Sequence, residues 1–273
     1  MKTLVVQSYR TRDVAPWLND CLRTVREWAA LRGYTHEFLD DRFFDYSPAW
    51  VRDRCGAQVL PVTDIARLYL LREKLRGEWD RVVWIDADVL VFDPDRFVLD
   101  EAAPYALCFE QTFSFQPDFG MHIGEAINNA VMFFVGSHPL IDFWICAAEE
   151  TLRASEPDRI AATQVGTRFL SALGNAMPIR TMRNVGLFVP PLIRDIAAGG
   201  GVALDRWAER LRQPIAAANL CRSMQDREFS GATVGAAEMQ KAVNRLLQTR
   251  GGVVNDRVGT SQACPFHNVV RFA

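Results

Sequence analysis

Apolar and polar positions along this chain follow two alternating rhythms. Residues 3–7 are a compact β-branched run that predicts a first strand, ending in Gln7-Ser8-Tyr9. Trp17, Leu18, Cys21, Leu22, Val25, Trp28 and Ala29 then recur at three- and four-residue steps, which predicts an amphipathic helix. Gly33 stands where a C-terminal cap belongs. Residues 34–39 predict a second strand, and 40–60, polar, aromatic and irregular, predict a loop. A second helix is predicted over 62–75, with Asp64 near its start and Gly77 beyond its end. Residues 81–85 predict a short strand that runs into Asp86-Ala87-Asp88, after which 89–92 resume the apolar run. Further strands are predicted over 106–110 and 127–135, and helices over 139–153 and 163–173. His138 is placed to cap the first of these helices and Trp144 to face its core. Strands alternating with helices predict an α/β fold, a mostly parallel sheet flanked by helices, with a less regular portion from 181 onward. In such sheets ligands gather at the carboxyl ends of strands, where Gln7-Ser8 and Asp86-Ala87-Asp88 both fall.

The 273 residues are 49% hydrophobic and 23% charged, enough for a substantial core in one large α/β domain or a domain and a half. A net charge of −2 and a pI near 6.1 give no global reason to expect nucleic acid as a partner. The opening residues lack the apolar run and small-residue cleavage site of a secretion signal, and no apolar stretch is long enough to predict a transmembrane segment. Cys21, Cys55, Cys108, Cys146, Cys221 and Cys264 are scattered without a C-x-x-C pair, so free thiols and a cytoplasmic location are expected. Peripheral attachment at the inner membrane face stays open, because an acceptor can be lipid-linked.

Asp86 and Asp88 carry the most chemical information. Two carboxylates inside Val82-Val83-Trp84-Ile85-Asp86-Ala87-Asp88-Val89-Leu90-Val91 lose hydration, and like charges so close raise one another's pKa. A divalent cation shared by both removes that cost, and hard cations such as Mn²⁺ or Mg²⁺ prefer carboxylate and phosphate oxygens. A strand-end turn in which both aspartates cap neighbouring amides is the competing explanation.

Asp64-Ile65-Ala66-Arg67, followed by Trp84-Ile85-Asp86-Ala87-Asp88, resembles the core of GT-A (Rossmann-like) glycosyltransferases, and most nearly their retaining nucleotide-sugar families. Val5-Val6-Gln7-Ser8-Tyr9 is similar to their donor-binding segment. Asn128-Asn129-Ala130-Val131-Met132 is similar to their Asn-small-Val-Met strand, and Val165-Gly166-Thr167 to their Gly-Pro helix start. Thr167 stands where proline is common, and only Gln164 remains of an Asp-Gln pair. The similarity spans about residues 3–175.

The resemblance implies a single domain, with residues 1–180 binding a nucleotide sugar and 181–273 forming the acceptor side. Gln7, Ser8, Tyr9, Asp64, Arg67, Asp86 and Asn128 are then expected around the donor. Asp86, Asp88, Arg67 and Asn129 are expected at the reacting groups, and Asp86, Asp88 and His267 on a Mn²⁺ or Mg²⁺ ion. The alternatives are plain for each: a strand exit at Gln7 to Tyr9, an i,i+3 surface ion pair for Asp64 and Arg67, a satisfied turn for Asn128 and Asn129, and a structural histidine at 267. Glu125, just upstream of the asparagines, either faces the reacting sugar or is solvated by its flanks.

The expected reaction is transfer of a sugar from a UDP-sugar, with retention, to a saccharide, lipid-linked glycan, protein or small molecule. A sugar-1-phosphate nucleotidyltransferase is the enzymatic alternative, although Gln7-Ser8-Tyr9-Arg10-Thr11-Arg12 lacks that class's glycine-rich phosphate loop. A non-catalytic sugar- or partner-binding relative is the other.

Overall fold

The computed structural model describes residues 1–118 and 120–259. The α/β layering expected from the alternation is present. A six-stranded sheet has the order β2-β1-β3-β6-β5-β7, built from β1 (Thr3–Ser8), β2 (Thr35–Leu39), β3 (Arg81–Ile85), β5 (Tyr105–Gln116), β6 (Gly120–Val135) and β7 (Thr181–Met182). Three of its five neighbouring pairs are parallel; β3·β6 and β5·β6 are antiparallel. A smaller sheet orders β4 (Val89–Val91), β9 (Ala217–Asn219) and β8 (Val185–Leu187).

The central strands are apolar throughout because both faces are covered. In β1 and β3, Leu4, Val6, Val82 and Trp84 join a core under α3 (Val59–Arg76) and α4 (Pro139–Ala154), whereas Val5, Val83 and Ile85 join the core toward α1 (Pro16–Leu31). α1 ends as its spacing predicts: Gly33 adopts φ +69°, a left-handed conformation glycine takes without the Cβ penalty. Trp144 is buried, and its Nε1 donates to Val165 O at 2.8 Å, pinning the segment that leads into α5 (Thr167–Ala176).

Residues 40–60 are not one loop. They hold a 3-10 turn, Asp41–Tyr46, and the short helix α2 (Ala49–Cys55), and α3 starts at Val59. Phe43, Val51 and Cys55 anchor this stretch in the core, and helices of one or two turns depend on such packing more than on any periodicity. The strands predicted over 106–110 and 127–135 extend into one long hairpin, whose outer halves are too polar to read as apolar runs. Beyond 181 the chain uses short strands with α6 (Pro190–Ala198), α7 (Val202–Ala208), α8 (Ala236–Thr249) and α9 (Gly252–Asn255), packed with α1 over a third core that includes Trp17, Leu192, Trp207 and Leu246. Cys21, Cys55, Cys108, Cys146 and Cys221 are free, and Cys264 lies outside the described residues. No helix among the described residues is long and apolar enough to cross a membrane.

Candidate active site

A cleft of about 630 Å³ opens at the carboxyl ends of β1 and β3, and Asp86 and Asp88 both line it. β3 delivers them there. Its last apolar residue, Ile85, is fully buried, and the Asp86 N–H bonds Ala130 O at 2.7 Å, so the strand ends by turning its two carboxylates into the opening. The Trp84 indole donates to Asp86 Oδ1 at 2.6 Å, and Arg67 Nη2 lies 3.2 Å from the same oxygen. The Arg222 backbone N–H donates to Asp88 Oδ2 at 2.8 Å. Among the described residues, Asp86 Oδ2 and Asp88 Oδ1 have no hydrogen-bond partner.

α3 brings Asp64 and Arg67 to one face of its first turns. Both are buried, at 7% and 4% exposure, so they are not the surface pair that spacing alone allows. Arg67 Nη2 is 3.7 Å from Asp64 Oδ1, and Nη1 donates to Asn129 O at 2.9 Å. The Arg67 Nε is buried without a partner among the described residues. The guanidinium also stands over the Trp84 ring, 5.1 Å from its centroid. Gly166 packs directly on Asp64: a Cβ there would lie 2.4 Å from Asp64 Oδ2.

Asn128 and Asn129 sit where the pairing of β5 and β6 slips between Leu107 and Cys108, an irregularity that turns consecutive side chains to different partners. Asn129 Nδ2 donates to Asp64 Oδ1 at 2.9 Å. Asn128 Nδ2 donates to Glu110 Oε2 at 2.6 Å, while its Oδ1 accepts from the N–H groups of Asn129 and Ala130. Their amides are thus engaged inside the protein, and Asn129 is 4% exposed. Gln7 does not line the cleft. It is fully buried behind it, its Nε2 donating to Asp86 O at 3.4 Å and its Oε1 meeting His36 Nε2 at 3.2 Å. Ser8 and Tyr9 do line the cleft. Glu125 does not; it lies 4.0 Å from Arg212 on the other side of the hairpin. His267 lies outside the described residues.

Several lining residues carry little or no functional signal in the sequence, and three of them, Glu110, Asn219 and Arg222, hold the site's polar groups in place. Glu110 is 1% exposed and held by Asn128 and, at 3.4 Å, by Asn219 of β9. Its one signal was a carboxylate closing the apolar run Ala106-Leu107-Cys108-Phe109. Asn219 and Arg222 carried none. They reach the site because the Leu220 N–H bonds Asp88 O at 2.9 Å, folding the last third of the chain back onto β3.

The cleft crowds negative charge. Burial pushes Glu110 up to about 8, opposed by the hydrogen bonds from Asn128 and Asn219 and reinforced by Asp86 and Asp88. Burial and the Asp86 charge lift Asp88 to about 6, against the Arg222 amide. Burial lifts Asp64 to about 6, against Arg67 and Asn129. Asp86 is raised too, by burial, with Arg67 and Trp84 pulling it back. Among the described residues no three His, Cys, Asp or Glu side chains gather closely enough to hold a metal ion by themselves. Two carboxylates with one uncommitted oxygen each fit a hard cation that takes its other ligands from water and a bound diphosphate.

No protein-family model and no curated protein matches the chain. Solved structures do. A glycosyltransferase involved in glycosylating the major capsid of PBCV-1 shares 11% identity at a TM-score of 0.48, covering 88% of this chain and 98% of its own. The galactosyltransferase LgtC, in complex with donor and acceptor sugar analogues, shares 14% identity at 0.42, covering 89% and 95%. A mutant of Drosophila β-1,4-galactosyltransferase 7, complexed with manganese, UDP-Gal and xylobiose, shares 9% identity at 0.25, covering 61% and 70%.

Proposed function

We propose that this chain is a GT-A glycosyltransferase that moves a sugar from a nucleoside-diphosphate sugar, UDP-linked by preference, to an acceptor hydroxyl. The observation that carries the proposal is the pair Asp86 and Asp88, set at the end of a buried strand, lining one cleft and each keeping one carboxylate oxygen uncommitted. These two residues would hold Mn²⁺ or Mg²⁺, which when bound would neutralise charge growing on the departing diphosphate.

The chain's own groups prepare that site. Arg67, clamped by Asp64 and by the Asn129 carbonyl, fixes Asp86 and sets a positive charge against the cleft wall. Asn129 works from behind, by holding Asp64. Gln7 braces the Asp86 backbone, and Ser8 and Tyr9 stand in the cleft for the nucleotide. Transfer breaks the bond between the anomeric carbon and the diphosphate oxygen and forms one from that carbon to the acceptor oxygen. The acceptor proton passes to the departing phosphate. Retention needs no protein base, and the buried carboxylates supply none: burial lifts Glu110 to about 8, Asp64 is committed to Arg67 and Asn129, and Asp86 and Asp88 would be taken by the cation. Of the lining carboxylates, that leaves the exposed Asp41.

Incubation with a panel of UDP- and GDP-sugars and Mn²⁺, with nucleotide release measured, tests the proposal. Release from at least one donor, lost in Asp88→Asn, is expected. No release from any donor, or equal release by the variant, defeats it.

A further inference from the structure

The β5–β6 hairpin is a wall with two chemically opposed faces. Side chains alternate across it: Glu110, Thr112, Ala126 and Asn128 line the acidic cleft, whereas Phe109, Gln111 and Glu125 line a separate groove behind it. That rear groove is rich in arginine. A narrow slot beside Trp207 holds Arg183, Arg210 and Arg212, and a broader basin of about 460 Å³, lined by Arg96 and Arg180, adjoins it through Arg183 and Gln213. Five guanidinium groups face only Glu125 and Asp100 among the lining carboxylates.

The arginines are poorly partnered. Arg212 reaches Glu125 only at 4.0 Å, and Arg96 pairs outside the groove with Asp93 at 3.6 Å. Among the described residues, Arg180, Arg183 and Arg210 make no side-chain hydrogen bond and no ion pair. Arg183 is half-buried, stacked 3.7 Å above the centre of the Phe109 ring. Burial and the charge of Arg212 lower its pKa, with Glu125 opposing, so the fold holds two cations near each other against the single carboxylate of Glu125. Ordinary surface arginines turn into solvent. Here a stacked, half-desolvated guanidinium is set at the junction of two cavities with its donors unspent.

We propose that this groove binds a phosphoryl group, with Arg183 as its central ligand and Arg180, Arg210 and Arg212 as its rim, at a site separate from the Asp86/Asp88 cleft. Guanidinium groups suit phosphate oxygens because their forked donors meet two oxygens at once. The assignment does not depend on the reaction given to the acidic face. Two sources share the chemistry: a free phosphate or diphosphate ester, and the phosphate of an anionic lipid headgroup.

The test uses the full chain, in EDTA so that no cation draws phosphate into the acidic cleft. Calorimetric titration with inorganic pyrophosphate reads the soluble source, and co-sedimentation with phosphatidylglycerol-containing vesicles, against phosphatidylcholine alone, reads the lipid. Binding in either arm is expected, weakening as salt rises. It should fall about tenfold or more in Arg183→Met, which removes the guanidinium stacked on Phe109 and leaves an apolar side chain in its place, and likewise in the exposed double change Arg210→Gln with Arg212→Gln. Asp88→Asn should leave it unchanged. No binding in either arm, or binding unaffected by both arginine variants while the protein stays folded, overturns the site.

Discussion

Glu110 offers the sharpest physical test of the acidic cleft, because nothing about it except its surroundings distinguishes it from an ordinary carboxyl. Its side chain is 1% exposed, and its pKa rises from an ordinary 4.5 to about 8. A carboxyl whose folded pKa lies above its unfolded value takes up a proton on folding. Its burial therefore costs nothing extra below about pH 4.5, costs more as pH climbs, and reaches its full cost only above pH 8. At ~1.4 kcal/mol per pKa unit, the share assigned to Glu110 is ~1 kcal/mol at pH 5 and ~3 kcal/mol at pH 7. Glu110→Gln removes the titration and keeps a carbonyl oxygen for the Asn128 amide. It loses little at Asn219, whose contact is already 3.4 Å long. The variant's stability relative to wild type, from urea unfolding in EDTA, should therefore improve by about 2 kcal/mol between pH 5 and pH 7. A difference that stays flat over that range refutes the protonated, buried Glu110. So does one that runs the other way.

Three further outcomes follow from the same geometry. Asp88→Asn should raise the melting temperature of the cation-free protein at pH 7, since it removes a carboxylate that burial and Asp86 lift to about 6, and should abolish the melting shift produced by Mn²⁺. Trp84→Phe keeps a ring against Phe43 but deletes the 2.6 Å bond to Asp86, so Mn²⁺ affinity should weaken about tenfold with the fold intact, read by calorimetry. Gly166→Ala drives a methyl into Asp64, within 2.4 Å of Oδ2, and should disturb the Asp64–Arg67–Asn129 cluster; a drop in donor turnover larger than the drop in stability is expected.

The parts of the site that could be read from the sequence were local. Asp86 and Asp88 stand out because two charges break an apolar strand, whereas Asp64 and Arg67 are picked out by the resemblance of their helix to the Asp-x-x-Arg helix of GT-A enzymes, spacing alone allowing no more than a surface pair. What the strand could not reveal is depth: the same spacing describes a solvated pair and the buried cluster that forms here. The resemblance implies that Gln7 lines the donor pocket, yet its side chain turns inward to His36 and the Asp86 carbonyl. Asn219 and Arg222 were invisible because their roles come from a return over 130 residues, made by the Leu220 N–H on Asp88 O and the Arg222 N–H on Asp88 Oδ2. Residues 40–60 read as a loop because Phe43, Val51 and Cys55 are too few to set up a rhythm, although they are enough to anchor two short turns.

The charge arrangement explains why such a site persists at all. Four carboxylates, Asp64, Asp86, Asp88 and Glu110, share one cleft with Arg67, and every one of the four is pushed toward its neutral form. A fold selected for stability alone would do better with apolar or amide side chains at most of these positions. A cation on Asp86 and Asp88 reverses the balance, because it holds both in the charged form that burial disfavours. By linkage, cation affinity should then rise with pH through the range near 6 where Asp88 loses its proton. The cation-free and cation-loaded proteins should therefore diverge in stability from about pH 6 upward, and the divergence should disappear when Asp88 becomes asparagine. If instead the two forms melt together at every pH, the carboxylates serve some purpose other than gripping an ion.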